Sequence, residues 1–171
     1  ALKNFSNNSE DLQTLRNTAF AFWRSGDKKL LLNAQREVYA LAESEDAQTR
    51  MWGFSGLGRL ADKGLLMYTL ESFLSEDDWR VRVNMINMFA NMNADSLLDM
   101  RKQINTMMWI AFNDKNENVS LNAISIAAGF FPNLTSAAGA KWKDEASELM
   151  IGVMNDPDRF SPRILGAAAV A

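Results

Sequence analysis

Two residue types are missing from this chain of 171 residues, cysteine and histidine. Without cysteine the protein can form no disulfide, no thiol nucleophile and no zinc–thiolate site. Without histidine it lacks the commonest catalytic base and metal ligand. No run of about eighteen apolar residues occurs, so the sequence predicts no membrane span. These absences favour a non-enzymatic protein with no cofactor and no bound metal.

The remaining composition is that of a globular protein with a slightly acidic surface. Hydrophobic residues make up 47% of the chain, which is ordinary for a folded domain and argues against disorder. The formal net charge is −3. A net negative charge argues against general binding to nucleic acid, which needs a basic surface.

Apolar residues at helical spacing predict about nine helices and no strands. A polar lead-in covers residues 1–8. The predicted helices span 9–24, 28–42, 47–60, 65–74, 75–92, 97–112, 118–130, 140–155 and 163–171. The last of them has no stop signal, from which we expect a fragment of a longer array, or an array closed by another domain.

Some side chains are predicted to be buried by their place on an apolar stripe. Leu30 and Leu31 begin the stripe of the second helix, and Trp142 is in register with Ala146 and Met150 of the eighth. The third predicted helix contains three glycines, Gly53, Gly56 and Gly58. They indicate either a close approach of the backbone to a ligand or close packing between helices, and we favour the packing.

The stretch 75–90 shows how the chain is organised. Ser75 is a candidate N-cap, and the acids 76–78 place negative charge at the start of a helix. Similar short sequence motifs, here called phrases, precede five positions that lie about 32 to 43 residues apart. A period in that range predicts an α-solenoid of two-helix repeats. The five positions are Arg16, Arg50, Arg82, Ser120 and Arg163. The predicted repeats are 9–43, 44–74, 75–112, 113–155 and a partial repeat, 156–171.

These phrases resemble the HEAT-repeat family, in the broad armadillo-like group. The residues that carry the resemblance are Asp78-Trp-Arg-Val-Arg82, Asn116-Glu-Asn-Val119, and Asp156-Pro-Asp158 with Arg163. The resemblance implies antiparallel helix pairs stacked into a right-handed superhelix. The chain departs from the family pattern where Ser120 replaces an arginine, where Pro162 enters the last phrase, and where the period drifts.

The charged residues of the phrase have a structural interpretation. Acids stabilise the helix N-terminus, and an arginine side chain can reach carboxylates or carbonyls of an adjoining turn. We therefore expect these residues to connect one repeat with the next rather than to contact a ligand. The set comprises Arg16, Arg50, Asp78, Arg82 and Arg163.

A second set of residues lies on the second helix of each predicted two-helix repeat, on the side opposite the apolar stripe. We call these helices the second helices and their partners the first helices. It comprises Leu32, Arg36, Tyr39, Tyr68, Lys102 and Trp109. In HEAT-like solenoids these helices line the concave face, so the resemblance implies a groove for a protein or peptide partner there, with Tyr, Trp and Arg as anchors. For Trp109 the alternative is a place in the core between repeats.

The sequence thus predicts a non-enzymatic scaffold for protein–protein interaction. One alternative is a nucleic-acid-binding protein of the DNA-alkylation-repair type, which uses HEAT-like helices with a basic concave face. The basic residues are too few for that and are countered by Asp144, Glu145 and Glu148. Another alternative is a regulatory HEAT domain of an enzyme system, such as the bilin-lyase-like HEAT proteins.

Overall fold

The protein is all-helical. A computed structural model describes residues 9–60 and 62–170, and these contain ten α-helices, three short 3-10 helices and no strand, which confirms the predicted all-α class. The predicted lead-in, 1–8, lies outside the described residues, as do Ala61 and Ala171. No helix in the described ranges has the length and apolarity needed to cross a membrane.

The chain forms two compact units, the first ending at Asn91 and the second beginning at Met92, within the third predicted repeat. The first unit contains α1 (Ser9–Ser25), α2 (Lys28–Asn33), α3 (Gln35–Ala42), α4 (Ala47–Gly58), α5 (Lys63–Phe73), α6 (Trp79–Ile86) and a 3-10 helix (Asn87–Asn91). The second contains a 3-10 helix (Ala94–Met100), α7 (Arg101–Phe112), α8 (Glu117–Phe130), a 3-10 helix (Phe131–Asn133), α9 (Ala137–Met154) and α10 (Pro162–Val170).

Helix α4 is the centre of the first unit and packs against α1, α3 and α6. Its glycines allow this packing. A Cβ atom added at Gly53 would lie 2.5 Å from the backbone nitrogen of Ala42 in α3, and one added at Gly58 would lie 2.9 Å from Met88 Cγ. The glycines therefore serve close helix packing, as the sequence favoured.

In the second unit, α10 packs against α8 and α9, and α7 packs against α8 and α9. Trp142 of α9 is fully buried, as predicted, between the rings of Phe130 and Phe131. Its indole N–H donates a hydrogen bond of 2.6 Å to the side-chain oxygen of Asn105. This bond satisfies the one polar atom that burial of the indole would otherwise leave unpaired.

One predicted helix is interrupted. The second predicted helix breaks at Ala34, where the backbone leaves helical geometry (φ −105°, ψ 20°), and α3 begins one residue later. Asn33 at this point favours a helix end because its side chain competes for backbone hydrogen bonds. Leu30, predicted to be buried, is 44% exposed, whereas Leu31 is fully buried.

The fifth and sixth predicted helices are likewise shortened, because 3-10 turns replace their adjoining ends. Helix α6 ends at Ile86, and the 3-10 turn that follows buries Met88 and Phe89 side by side. Helix α7 begins only at Arg101, after the 3-10 helix that Asn93 caps. The segment is rich in asparagine, which disfavours a continuous α-helix.

The turns before α4, α6 and α8 share one hydrogen-bonded structure. Each helix is capped by the side chain of Asp46, Asp78 or Asn116. The backbone N–H of each cap donates to a side-chain oxygen two residues earlier, on Ser44, Glu76 or Asp114. Ser75 is thus not the N-cap that the sequence predicted, because α6 begins four residues later, after Asp78.

The same turns are closed by a side chain four residues after the cap. Arg50 donates to the carbonyls of Ser44 and Glu45, at 2.9 and 2.8 Å. Arg82 donates to the carbonyls of Glu76 and Asp77, at 2.8 and 2.9 Å. The hydroxyl of Ser120 makes a longer bond of this kind, 3.4 Å, to the carbonyl of Asp114. We call this arrangement the repeat clasp.

Arg82→Ala should lower the free energy of unfolding by on the order of 1 kcal/mol or more, because two carbonyls lose a charged donor. Arg82 is 5% exposed, so water cannot readily replace the guanidinium. Urea unfolding followed by circular dichroism measures the change. Arg80→Ala is the control, since Arg80 is exposed and forms its ion pair with Asp78 of its own turn. An equal loss in both variants would contradict a special role for the clasp.

Candidate partner-binding surface

The first unit presents two tyrosines from successive predicted second helices. Tyr39 of α3 and Tyr68 of α5 meet edge to face, with ring centroids 5.3 Å apart, and Tyr68 also stacks on buried Phe54 at 5.9 Å. Both tyrosines are half-buried, and burial is the main cause that raises the pKa of each phenol. The hydroxyls thus stay protonated at neutral pH and can donate hydrogen bonds to a partner.

A cavity of about 260 Å³ lies beside Tyr68. Its wall includes Ser72, Glu76 and Asp77 together with Arg50. Arg50 is committed to the clasp and to Glu76, which its Nε and Nη2 bind at 2.8 and 2.9 Å. The cavity therefore offers a partner the Tyr68 ring, the Ser72 hydroxyl and the Asp77 carboxylate, but not a free cation.

The other two candidates in this unit are both exposed. Leu32 is 52% exposed on α2, and Arg36 is exposed on α3. The break at Ala34 separates Leu32 from the helix that carries Arg36 and Tyr39. Of the four predicted contact residues of the first unit, the two tyrosines come from different helices and are in ring contact.

In the second unit, Trp109 lies in a groove between α7 and α9. The groove has a volume of about 580 Å³, and we call it the Trp109 groove. It is lined by Asn105, Trp109, Glu145, Glu148, Leu149 and Gly152. Trp109 is 39% exposed, so it is a surface side chain rather than a core one. Lys102 is exposed on α7 and does not line the groove.

The acidic wall of this groove was not predicted. Asn105 precedes Trp109 by one helical turn, and the acids lie at successive turns of α9, three residues apart. That spacing places each set on one face of its helix. The sequence analysis used Glu145 and Glu148 only as counter-charges, because it had no signal that α9 pairs with α7 in this register.

A cluster of aromatic residues on α1 and α4 was also missed. Trp52 lies 4.6 Å from Trp23 and 5.1 Å from Phe20, measured between ring centroids, and the Arg59 guanidinium lies 5.8 Å from the Trp23 ring. Phe20 is 42% exposed. Its spacing of three residues from Trp23 was the available signal.

The residues that were predicted to connect one repeat with the next differ in what they contact. Arg16 on α1 binds the Asp46 carboxylate with two hydrogen bonds, of 2.6 and 3.0 Å, and Arg50 binds Glu76. Asp78 makes its ion pair with Arg80 of the same turn, at 2.6 Å, rather than with another repeat. Arg163 is exposed and forms no hydrogen bond or ion pair with the residues that the structure describes.

The ion pair between Arg16 and Asp46 should make the stability of the first unit fall at acid pH. The hydrogen bonds from Arg16 are the main cause that lowers the pKa of the Asp46 carboxyl to about 2. Because this pKa is below the value of an unfolded chain, the ion pair stabilises the fold above about pH 4 and loses its effect as the pH falls towards 2.

Asp46→Asn should therefore lower the melting temperature most at pH 5 to 7 and least near pH 2. Thermal unfolding of both proteins across this range measures the difference. The control is Asp46→Asn made in the Arg16→Met background. In that background the effect of Asp46→Asn on the melting temperature should depend much less on pH. A difference that stays constant from pH 7 to pH 2 would assign the effect of Asp46 to capping alone.

Comparison with known proteins does not assign the chain to a family. No protein-family model, no curated protein and no solved structure matches the chain. Among the described residues, no three acidic side chains come together in a way that could hold a metal ion. What can be said of function therefore depends on the clasps, the tyrosine pair and the two lined cavities.

Proposed function

We propose that the chain is a HEAT-like α-solenoid segment that acts as a non-enzymatic scaffold and binds a protein partner along its second helices. The observation that carries the proposal is the repeat clasp. Three turns that are far apart in sequence share a side-chain cap, a side-chain bond to the cap N–H and a closing side chain four residues after the cap, which is arginine in two turns and Ser120 in the third. Such recurrence is expected of a repeat array and not of unrelated turns.

The order of helix contacts supports the array within each unit. In the first unit the predicted first helices α1, α4 and α6 pack one against the next. In the second unit, first helix α8 packs against first helix α10, and second helix α7 packs against second helix α9. Stacking of like helices on like helices is the arrangement by which solenoid repeats bury a continuous core.

The exposed residues of the second helices support a protein partner. Tyrosine and tryptophan are enriched among the anchors of protein interfaces, because each combines a large apolar area with a polar group. Tyr39, Tyr68 and Trp109 are all partly exposed on these helices. The acidic wall of the Trp109 groove disfavours nucleic acid, whose phosphates it would repel.

Selection of peptides from a phage-displayed library against the purified protein tests the proposal. The selected peptides should lose at least about tenfold in affinity, near 1.4 kcal/mol, for the variant Tyr39→Ala/Tyr68→Ala/Trp109→Ala. Circular dichroism must show that the variant is still folded, since Tyr68 stacks on Phe54. Fluorescence anisotropy with synthetic copies of the peptides gives the affinities.

The matched control is Phe20→Ala/Trp79→Ala, which removes two aromatic residues of similar exposure from first helices. It should leave the affinities unchanged within about twofold. Loss of binding in the control alone would move the partner site to the first helices and overturn the proposal. Duplex DNA should bind little at any salt concentration, whereas a nucleic-acid protein would bind tightly at low salt and lose affinity steeply.

A further inference from the structure

We infer that the Trp109 groove binds an arginine or lysine side chain of the partner, with the cation over the Trp109 indole and beside Glu148. The inference rests on the proposed function, because it names the chemistry that the partner presents to the second helices of the second unit. It is carried by three features that meet at one end of the groove: an exposed aromatic face, a carboxylate without a counter-ion, and two helix C-termini.

The Trp109 indole contacts the neighbouring helix α9 along one edge. Its edge packs against α9 at Gly152, where an added Cβ would lie 3.6 Å from the indole Cζ3 atom. Trp109 is 39% exposed, so part of the side chain is open to solvent. An aromatic face that is fixed on one edge and open to solvent is suited to a cation, which is attracted by the negative face of the ring.

The carboxylates of the groove differ in how far they are neutralised. Glu145 accepts a hydrogen bond of 3.2 Å from the Asn105 amide and lies 3.9 Å from Nε of Arg101. Glu148 is exposed and makes no hydrogen bond or ion pair within the described residues. Because Arg101 and the exposed Lys141 lie towards the other end of the groove, Glu148 is the charge left for a ligand beside Trp109.

The helix ends add to this negative potential. Trp109 lies in the last turn of α7, which ends at Phe112, and Gly152 lies in the last turn of α9, which ends at Met154. Since these two residues are in contact, both helices direct their C-termini to the same end of the groove. A helix C-terminus carries about half a negative charge and stabilises cations within its last turn.

Arginine fits this site better than lysine. Its planar guanidinium can stack on the indole and donate to Glu148 at the same time, and it loses less hydration than an ammonium group. A phosphorylated or acidic segment is disfavoured, because it would meet the carboxylate and both helix C-termini. The occupant is therefore a basic segment of a partner protein.

Fluorescence anisotropy with a fluorescein-labelled (Gly-Arg)4 peptide at about 150 mM salt tests the site, since screening then suppresses distant charges. The same peptide with citrulline in place of arginine keeps the shape and removes the charge. We expect the arginine peptide to bind at least about fivefold more tightly. Trp109→Ala and Glu148→Gln should each weaken it about three- to tenfold.

Two matched variants separate this site from general attraction to an acidic protein. Trp79→Ala removes a tryptophan of the same 39% exposure, and Glu71→Gln removes an exposed acid of α5. Both should bind the arginine peptide as the parent does. The inference is overturned if (Gly-Arg)4 fails to bind, if citrulline binds equally well, or if Glu71→Gln weakens binding as much as Glu148→Gln.

Failure of the cation site can be distinguished from failure of the scaffold proposal. Library-selected peptides that need Trp109 but contain no arginine or lysine would overturn the cation site and leave the scaffold standing. Selected peptides that are indifferent to Tyr39, Tyr68 and Trp109, together with (Gly-Arg)4 binding that depends on Glu148, would do the reverse. In a nitrogen-15 spectrum, the Trp109 indole signal should shift with the arginine peptide while that of Trp79 stays in place.

Discussion

Gly53→Ala should destabilise the first unit by about 3 kcal/mol or more, which is large for the addition of one methyl group. The added Cβ would lie 2.5 Å from the backbone nitrogen of Ala42 and 2.7 Å from the carbonyl carbon of Leu41. Both are backbone atoms of α3, so no side-chain rotation can relieve the contact. Either α3 moves away from α4 or the contact stays strained, and the higher helix propensity of alanine returns only about 1 kcal/mol.

Other glycines provide the comparison. Gly56→Ala should cost less, because its nearest neighbour is a side-chain atom, Val38 Cγ1, at 3.1 Å, which is farther away than the backbone atoms that an added Cβ at Gly53 would meet. Gly166→Ala, at an exposed position of α10 with open space around it, should be neutral or stabilise by up to about 1 kcal/mol. Urea unfolding of the three variants measures the order. A Gly53→Ala protein as stable as the parent would contradict the close packing of α3 on α4.

The helical class could be predicted from this sequence because the signals for it are local. An acid at the end of a turn caps the next helix through its own side chain, as Asp46 and Asp78 do. A glycine-containing turn at 25–27 ends α1, and Gly26 has the positive φ of 62° that favours glycine. Trp142 was placed correctly because its stripe continues over several turns of α9.

The interruptions of the helices could not be predicted in the same way. The apolar stripe of the second predicted helix runs across Ala34, so periodicity alone gives no reason for a break there. Met88 and Phe89 are both buried in a 3-10 turn, where the apolar periodicity predicts that the α-helix continues. Such choices depend on what lies opposite, here Gly58 for Met88.

The candidate surface was predicted only in part for the same reason. Sequence spacing gives the face of a helix that a residue occupies, and so Trp109 was expected on the outer face of its helix. It does not give the helix that lies alongside. The pairing of Tyr39 with Tyr68, and of Trp109 with Glu148, depends on how α3 meets α5 and how α7 meets α9. These contacts are set by tertiary packing.

Arg50→Ala should destabilise the first unit by about 2 to 4 kcal/mol, more than the loss of any exposed arginine. The residue both closes the clasp before α4 and binds Glu76 of the clasp before α6. The Glu76 side chain is 6% exposed, so the loss of Arg50 would leave a buried carboxylate without its counter-ion. Arg50 is itself 21% exposed, and water can reach part of the vacated space, which keeps the expected loss below that of a fully buried pair.

A double-mutant cycle with Glu76→Gln separates the two roles of Arg50. If the ion pair between repeats dominates, the coupling free energy between Arg50 and Glu76 should exceed about 1 kcal/mol, and the double variant should recover part of the loss. If the clasp dominates, the two effects should add, because the carbonyls of Ser44 and Glu45 lose their donor in either background. Arg36→Ala, an exposed arginine on α3, should change the free energy of unfolding by less than about 0.5 kcal/mol. A loss as small as this in Arg50→Ala would show that neither contact contributes much to stability. The connection between α4 and α6 would then depend on apolar packing alone.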